Sequence, residues 1–482
     1  MKRRQWIAVF TILLIAISPL SGTSRVKATS TEDAGTDVWP SGPSVYAESA
    51  IVMEASTGLI LYEKNINDEH YPASITKIMT VLLALENSSL GEIVTFSRNS
   101  VYDVEADSSR LWIDVGEQLT MQQCLYGILL ESANDIAYAV AEHVAGDIES
   151  FGKMMTERAK SLGCLNTNFV NPHGLQDENH YTSAYDMALI TREAMKNETF
   201  RKIFSTRTSQ IPPTNLQSET RYLVNHHKFI RKVDYFYDDC IGGKTGYTST
   251  SKYTLVSVAK RGDLELICVV MRDDTSAHQY TDTQKLLDFG FDNFSIYPIV
   301  DLESTQTLTE SPLFTRYNSL LSKSDSPIVT DSKGYLVLPN TASFQDALKE
   351  VSFFQPSGND SSFTSGSPVV KEGNNVIGKI SYTYYGKYVG GADILYIQKD
   401  SPYLIKTEVD KKIPTTIPEP VTPEKTEGNL RPIIIGGIVG FFVLAIGLYF
   451  ILVELPRLKR RNAYYKKRSL RKSFKDDDFL NL

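Results

Sequence analysis

The hydrophobic pattern between residues 45 and 294 mixes short apolar runs with longer periodic segments. Four short runs of apolar and β-branched residues are bounded by turn residues, which predicts strands. These runs are residues 50–53, 59–62, 253–259 and 264–271. Because Arg261-Gly262-Asp263 separates the last two, they are expected to form a β-hairpin.

Between these strands, apolar residues recur at the spacing of an α-helix, most clearly over residues 75–85 and 121–144. Strands at both ends of a region with helices between them are typical of an α+β fold. We therefore predict one α+β domain over residues 45–294, with a sheet built from both of its ends.

The pattern changes after residue 294 to short apolar stretches separated by many turn residues. This texture predicts a small all-β domain over residues 295–405. Its expected strands are residues 335–338, 368–370, 376–382 and 394–397. Residues 406–430, rich in Lys, Glu, Thr and Pro, are expected to form a semi-extended stalk.

The N-terminus carries a basic start, a short apolar run and small residues at Val26-Lys27-Ala28. This arrangement predicts a secretory signal peptide over residues 1–28; the alternative is an uncleaved anchor, for which the apolar run is short. Residues 29–44 are rich in Ser, Thr, Gly and Pro and are expected to be a flexible lead-in.

A stronger membrane signal lies near the C-terminus, where residues 433–453 carry no charge over 21 positions. That length is enough for one transmembrane helix. Residues 454–482 follow as a basic tail, and positive charge beside a span marks the cytoplasmic side. The pattern predicts a single-pass protein of the cell membrane whose folded part is extracytoplasmic.

Charge argues against one class of partner. The formal charge is −7 overall, yet residues 1–28 carry +5 and residues 457–482 carry +7, which leaves −19 for the residues between them. An acidic body excludes nucleic acid as the expected partner.

Four cysteines without a C-x-x-C pair allow three full disulfide pairings or, equally, buried free thiols. They are Cys124, Cys164, Cys240 and Cys268.

The candidate chemistry begins at Ser74-Ile75-Thr76-Lys77. Residues three apart on a helix share a face, so the Lys77 amine can approach the Ser74 hydroxyl. A serine hydroxyl is a weak nucleophile until a neighbouring base removes its proton, and a lysine with a lowered pKa can be that base. Ser-x-x-Lys alone is weak evidence, because the same pattern also starts at Ser24, Ser150, Ser249 and Ser469.

Two further motifs distinguish Ser74 from the other serines. Ser132-Ala133-Asn134 lies downstream, and Lys244-Thr245-Gly246 follows at the start of a predicted strand. The three motifs in this order are typical of β-lactamases and penicillin-binding proteins. The ordered set is far more specific than any one of its parts.

Longer segments carry a resemblance to one family. The segments at 71–80, 129–135, 166–175 and 242–248 resemble those of low-molecular-weight D-alanyl-D-alanine carboxypeptidases, which are penicillin-binding serine peptidases. The resemblance covers about residues 45–294 and continues more faintly over 295–405. It implies a β-lactamase/transpeptidase-like domain with an antiparallel sheet and helices, followed by a small all-β domain. It also implies two ligands: peptidoglycan stem peptides ending in D-Ala-D-Ala, and β-lactam antibiotics.

The resemblance implies a role for each motif residue, with no cofactor. Ser74 would attack the carbonyl of the penultimate D-alanine, Lys77 would accept its proton, Ser132 would relay a proton to the leaving D-alanine, and Asn134 would orient Lys77 and the substrate. The implied substrate-binding residues are Lys244, Thr245, Gly246 and Tyr247, with the oxyanion between the backbone N–H groups of Ser74 and Tyr247.

Two alternatives stay open. A class A-like β-lactamase shares the three motifs but is expected to carry a Glu-x-x-Leu-Asn loop before Lys244, where this chain reads Asn168-Phe-Val-Asn-Pro-His-Gly174. A non-catalytic wall-binding protein on the same fold would keep the motifs without the reaction.

The family usually has Ala-Gly soon after its Lys-Thr-Gly segment, where this chain has Thr250-Ser251-Lys252, so the substrate preference of the strand edge is open.

Histidines in two places invite other interpretations. His226 and His227 are adjacent, so their side chains are expected to point apart, and no further ligand spacing accompanies them; we predict no metal site. Residues 171–174, Asn-Pro-His-Gly, are expected to hold the shape of the site rather than to take part in catalysis.

Overall fold

The computed structural model describes residues 39–105, 107–232, 234–303, 328–353 and 373–398. The signal peptide, stalk, membrane span and basic tail expected from the sequence lie outside these residues, as does the strand expected at 368–370. Across the described ranges, no helix is both long and apolar enough to cross a bilayer.

The strands are labelled in chain order. They are β1 (Ser49–Glu54), β2 (Ile60–Lys64), β3 (Ile93–Thr95), β4 (Gln118–Thr120), β5 (Thr208–Ile211), β6 (Arg221–Val224), β7 (Cys240–Thr248), β8 (Lys252–Arg261), β9 (Leu264–Asp273), β10 (Phe294–Pro298), β11 (Ile328–Thr330), β12 (Tyr335–Pro339), β13 (Leu348–Phe353), β14 (Gly373–Tyr384) and β15 (Lys387–Gln398).

The α-helices are labelled in the same way. They are α1 (Lys77–Asn87), α2 (Arg98–Tyr102), α3 (Met121–Leu130), α4 (Asn134–Ala145), α5 (Ile148–Ser161), α6 (Ala184–Ala194), α7 (Glu198–Phe204), α8 (Ser276–Asn293) and α9 (Ile299–Leu302). Short 3₁₀ turns cover Ala73–Thr76, Lys228–Ile230 and Phe344–Asp346.

The main sheet has five antiparallel strands in the order β2-β1-β9-β8-β7. Strands from both ends of the region therefore meet at the centre, where β1 pairs with β9, as the hydrophobic pattern predicts. β7 pairs on one side only, with β8, and forms an edge of this sheet.

Both faces of this sheet are buried because successive residues of a strand point to opposite sides. Ile51 and Met53 face a core shared with helices α1 and α3–α7, while Ala50 and Val52 face a second core. The second core contains apolar residues of α8 and of strands β10, β12, β14 and β15. The sheet is thus held between a layer of helices on one face and α8 with the strands of the second core on the other.

Residues after Phe294 form a second antiparallel sheet, in the order β10-β12-β15-β14-β13, with β11 paired to β15. This agrees with the turn-rich texture of the sequence. The long β14–β15 hairpin turns at Tyr385 and Gly386, both with positive φ.

Two helices differ from their sequence-based prediction. Instead of one helix over 121–144, α3 ends at Leu130 and α4 starts at Asn134. Ser132 lies in the break with a φ of +60°, a left-handed conformation that a helix cannot contain. The helix expected over 75–85 begins as a 3₁₀ turn, and α1 starts only at Lys77. Apolar spacing alone does not reveal either irregularity, because the core faces of both segments stay continuous.

All four cysteines are free thiols, three of them buried. This decides between the two alternatives that the sequence left open. Burial raises the pKa of each thiol, of Cys240 to about 12, so these side chains behave as apolar core groups.

Candidate active site

Ser74 lies in the 3₁₀ turn that leads into α1, directly after Ala73, whose φ is +51°. A positive φ at a residue other than glycine is uncommon and is often found at functional sites. The Lys77 Nζ atom donates to Ser74 Oγ over 3.0 Å. The pairing expected from the three-residue spacing is therefore present.

Lys77 is completely buried, and three acceptors surround its amine. Besides Ser74 Oγ, these are Asn134 Oδ1 at 2.6 Å and the His173 carbonyl oxygen at 2.7 Å. Burial lowers the pKa of Lys77 well below its usual range, the charge of Lys244 lowers it further, and Asp135 opposes both. The geometry and the lowered pKa together make Lys77 able to take a proton from Ser74.

The break between α3 and α4 brings the second motif to the same place. Asn134 is the first residue of α4, and its side chain reaches Lys77. Asp135 beside it accepts from the backbone N–H groups of Leu111 and Ile136, which ties the break to the preceding loop. Burial raises the pKa of Asp135, while these hydrogen bonds lower it.

The third motif lies on the β7 edge strand. Lys244 is buried, and its Nζ atom donates to Ser132 Oγ at 3.1 Å and to the Thr245 carbonyl oxygen at 2.8 Å. Burial lowers the pKa of Lys244 to about 7. The second and third motifs are therefore linked through one lysine, as Lys77 links the first and the second.

Two glycines allow these segments to approach each other. A Cβ on Gly246 would lie 2.4 Å from Thr254 Oγ1 and 3.0 Å from the backbone nitrogen of Ser74. A Cβ on Gly174, whose φ is +81°, would lie 1.8 Å from the Ala73 carbonyl oxygen. Neither position has room for a side chain beside the Ser74 turn.

A cleft of about 660 Å³ opens above these groups. The motif residues that line it are Ser74, Ser132, Asn134, Thr245, Gly246 and Tyr247. Lys77 and Lys244 do not line the cleft themselves; their amines donate to the lining residues Ser74 and Ser132. We call the side formed by segments 73–77, 131–135 and 171–174 the helical wall. We call the side formed by β7, the β7–β8 turn, Lys228 and the start of α8 the strand wall.

The Asn171–Gly174 loop supports the helical wall, in keeping with the structural role expected from the sequence. Asn171 Oδ1 accepts from the backbone N–H of Gly174, and Thr80 Oγ1 donates to the Pro172 carbonyl oxygen. The His173 carbonyl then points at Lys77. Burial lowers the pKa of His173 well below its usual range, so its ring stays neutral and adds no charge beside Lys77.

The β7–β8 turn contains the departure from the family pattern. Ser251 is buried, and its Oγ atom accepts from the backbone N–H of Thr248, while its own N–H donates to Thr248 Oγ1. Lys252 has a φ of +57°, a conformation that favours glycine. Thr248 still pairs with Lys252 in register, so the edge of β7 is intact despite the changed residues.

The two adjacent histidines point apart, as expected. His226 is exposed and lies 3.2 Å from Glu131, whereas His227 is buried and lies 2.9 Å from Ser257 Oγ. Burial lowers the pKa of His227 to about 3, and the charge of Lys244 contributes.

Some residues near the site could not be found from the sequence. Thr254 Oγ1 donates to the Pro72 carbonyl oxygen and so holds the segment before Ser74 against β8. His180 Nε2 lies 2.9 Å from Thr76 Oγ1. Lys228, the first residue of the 3₁₀ turn Lys228–Ile230, also lines the cleft. No motif or periodicity marks these positions; only the tertiary structure brings them to the site.

Comparison with known proteins agrees with this geometry. The sequence profile of the D-alanyl-D-alanine carboxypeptidase family matches residues 36–275. The chain is 38% identical over 261 residues to D-alanyl-D-alanine carboxypeptidase DacF of Bacillus subtilis, covering 54% of this chain and 66% of that protein. It is 31% identical over 295 residues to D-alanyl-D-alanine carboxypeptidase DacA of Haemophilus influenzae, covering 59% and 71%.

A solved structure extends the similarity beyond the main sheet. Penicillin-binding protein 5 from Haemophilus influenzae superposes with a TM-score of 0.56 at 25% identity, covering 74% of this chain and 98% of that one. The match to the two curated relatives spans about two thirds of their length.

Proposed function

Because the chain belongs to the D-alanyl-D-alanine carboxypeptidase family of serine peptidases, we propose that it removes the terminal D-alanine from peptidoglycan stem peptides through an acyl-enzyme on Ser74. The observation that carries the proposal is the buried Lys77 amine at 3.0 Å from Ser74 Oγ. Penicillins would acylate the same serine, because their ring amide is attacked in place of the peptide bond.

The first half of the reaction uses the helical wall. Lys77 takes the Ser74 proton as the hydroxyl attacks the carbonyl carbon of the penultimate D-alanine, and Asn134 keeps the amine directed at Ser74. The tetrahedral oxyanion would accept hydrogen bonds from the backbone N–H groups of Ser74 and Tyr247. Gly246, the residue before Tyr247, lies close to the Ser74 nitrogen, which supports an oxyanion position between β7 and the turn that contains Ser74.

The second half uses the link between Ser132 and Lys244. Collapse of the intermediate breaks the peptide bond, and Ser132 relays to the nitrogen of the leaving D-alanine the proton that Lys77 took from Ser74, so the Lys77 amine is neutral again; Lys244 donates to the Ser132 hydroxyl during this transfer. Thr245, at the cleft surface, and the buried amine of Lys244 behind it would hold the substrate's terminal carboxylate, and Gly246 and Tyr247 would lie beside the substrate's backbone. Water then hydrolyses the ester on Ser74, with Lys77 as the base.

The test uses the full chain, solubilised in detergent and incubated with benzylpenicillin. We expect a mass increase of one equivalent, mapped to the peptide that contains Ser74, and D-alanine release from an N-acylated peptide ending in D-Ala-D-Ala. Ser74→Ala should abolish both, whereas Ser109→Ala, a serine of the same cleft, should keep both. Continuous turnover of penicillin would instead indicate a β-lactamase, and a folded chain without any adduct would indicate a non-catalytic wall-binding protein.

We also propose that the chain is anchored in the cell membrane by residues 433–453, with residues 45–294 as the extracytoplasmic catalytic domain and 295–405 as a β-rich domain after it. The absence of charge over 433–453 and the basic residues after it support the anchor. Protease treatment of intact cells should remove the folded part and leave a short membrane-bound fragment. Recovery of the whole chain in the soluble fraction would contradict the anchor.

A further inference from the structure

Asp135 is a buried carboxylate one residue beyond Asn134, in the first turn of α4. It accepts hydrogen bonds from the backbone N–H groups of Ile136 at 2.9 Å and Leu111 at 3.1 Å, and a longer one from Ile113 at 3.5 Å. Backbone donors and the positive end of a helix both favour the ionised form of a carboxyl group. No step of the proposed reaction uses this carboxylate.

The surroundings of Asp135 keep it negatively charged at neutral pH. Burial raises its pKa, whereas the backbone N–H donors and the Arg110 guanidinium lower it. The Arg110 side chain itself donates to the carbonyl oxygens of Val101 and Val104. Because the ordinary pKa of an aspartate is near 4, a carboxyl group with these donors stays ionised near pH 7.

The Lys77 amine gains from a nearby negative charge because it carries a proton during part of the reaction. As Ser74 attacks, its proton moves to Lys77 Nζ, which turns a neutral amine into a buried ammonium group. A buried cation without a counter-charge is costly. The three acceptors around Nζ, from Ser74, Asn134 and His173, are uncharged groups.

The charges around Lys77 distinguish Asp135 from the other neighbours. Burial lowers the pKa of Lys77, Lys244 on β7 lowers it further, and Asp135 on α4 raises it. The rings of His173 and His180 stay neutral, because burial lowers the pKa of His173 well below its usual range and that of His180 to about 3. Asp135 is therefore the carboxylate that offsets burial and the charge of Lys244 at this amine.

The start of α4 fixes the carboxylate and the Lys77 amine relative to each other. Asn134 Oδ1 accepts from Lys77 Nζ at 2.6 Å, and the Asn134 backbone N–H donates to the Ser109 carbonyl oxygen at 2.8 Å. Asp135 in turn holds the N–H of Leu111 in the same loop. One helical turn thus carries both an acceptor and a counter-charge for Lys77, and both are tied to a loop that lines the cleft.

We infer that Asp135 is a positioning residue of the reaction: its fixed negative charge stabilises the protonated Lys77 amine that forms as Ser74 attacks. This inference rests on the proposed function and specifies how its base is tuned. Asp135 does not line the cleft and acts only through Lys77. The proton passes from Ser74 to Lys77 and then to the leaving group, and Asp135 neither gains nor loses one.

The test measures the rate constant of penicillin acylation against pH for the full chain in detergent. Asp135→Asn removes the charge and keeps an oxygen for the N–H groups of Leu111 and Ile136, which both donate to Oδ1. The pKa of Lys77 should then fall, so the acid limb of the profile should move to lower pH. The plateau rate should drop by about 10-fold, because a less basic amine is a weaker general base.

Asp135→Glu is the conservative variant. It keeps the negative charge at the start of α4, so the acid limb should stay where it is in the unmodified chain. Asp135→Ser, which is neutral and smaller, gives the same comparison as Asp135→Asn if the Asn chain does not fold.

Asp186→Asn is the matched control. Asp186 is also a buried carboxylate in the first turn of a helix, α6, and it accepts from the backbone N–H groups of Leu165 and Asn166. Its charge is not among those that shift the pKa of Lys77. Asp186→Asn should therefore destabilise the chain to urea, as Asp135→Asn does, but leave the acid limb of acylation in place.

Two results would overturn the inference. One is an acid limb that Asp135→Asn moves no further than Asp186→Asn does, with a lower rate at every pH; the loss would then come from a displaced loop and not from the charge. The other is a limb that moves to higher pH. The proposed function fails separately, through the absence of a penicillin adduct on Ser74 in the unmodified chain at any pH.

Discussion

The two walls of the cleft differ in how fully their polar groups are satisfied. On the helical wall, Ser74, Lys77 and Asn134 are bonded to one another and to the His173 carbonyl, and Ala73 and Ser132 are held at positive φ. The strand wall carries an exposed Tyr247 beside Tyr253. Among the described residues, the Lys228 amine contacts only the rings of Tyr235 and Tyr280, and Gln279 Oε1 has no hydrogen-bond partner.

This difference separates chemistry from recognition. Proton transfer needs groups that are already in position. On the helical wall, burial, mutual hydrogen bonds and a strained backbone keep the polar groups in fixed positions. A binding surface must leave donors free for its ligand, and under the proposed function the strand wall is that surface. Substitutions on the helical wall should therefore affect rate and folding, and those on the strand wall should affect affinity, pH response and local stability.

The largest effect is expected at Lys77. Lys77→Gln keeps a side chain of similar length but removes the base, so penicillin acylation should slow by about 10³- to 10⁴-fold. The measurement is the second-order rate constant of adduct formation. A loss below about tenfold would mean that another group takes the Ser74 proton.

Gly174→Ala tests the rigidity of the helical wall. The added Cβ would meet the Ala73 carbonyl oxygen at 1.8 Å and would hold a left-handed backbone, so we expect a loss of at least about 3 kcal/mol in unfolding free energy by urea denaturation. Gly116→Ala is the matched control: its φ is +86° with open space around it, and about 1 kcal/mol is expected. Equal effects would show that the contact with Ala73 does not matter.

The pH dependence of stability reports on Lys244. Its pKa of about 7 in the folded chain lies below the usual value near 10.5, so the unfolded chain binds more protons between these values and stability rises with pH. Lys244→Met should remove up to about 2 to 3 kcal/mol of the increase between pH 7 and 9. If the free energy of unfolding depended on pH in the same way for the unmodified protein and for Lys244→Met, Lys244 would have an ordinary pKa in the folded chain.

The smallest effect is expected in the β7–β8 turn. Lys252→Gly relieves a φ of +57° and should stabilise the chain by about 1 kcal/mol. Lys260→Gly, at an exposed strand position, should instead destabilise it by about 0.5–1 kcal/mol. A destabilised Lys252→Gly chain would mean that the Lys252 side chain makes a contact worth more than the strain.

Much of the main sheet and of the chemistry was accessible from the sequence. The runs at 50–53 and 264–271 are strands because alternate residues face two cores, and the three motifs lie together as their order predicts. The break at Ser132 was not accessible, since the apolar residues of α3 and α4 continue the helical spacing across it.

What the sequence determined by itself is local: apolar periodicity, turn residues and the spacing of Ser74 and Lys77 depend on neighbours in the chain. The tertiary structure alone decided the rest. Burial lowers the pKa of Lys77 and Lys244, the Gly174 loop brings a carbonyl to Lys77, and Lys228 lines the same cleft as Ser74 although it is far from it in the chain. Burial and proximity between distant residues depend on packing, which no short stretch of sequence encodes.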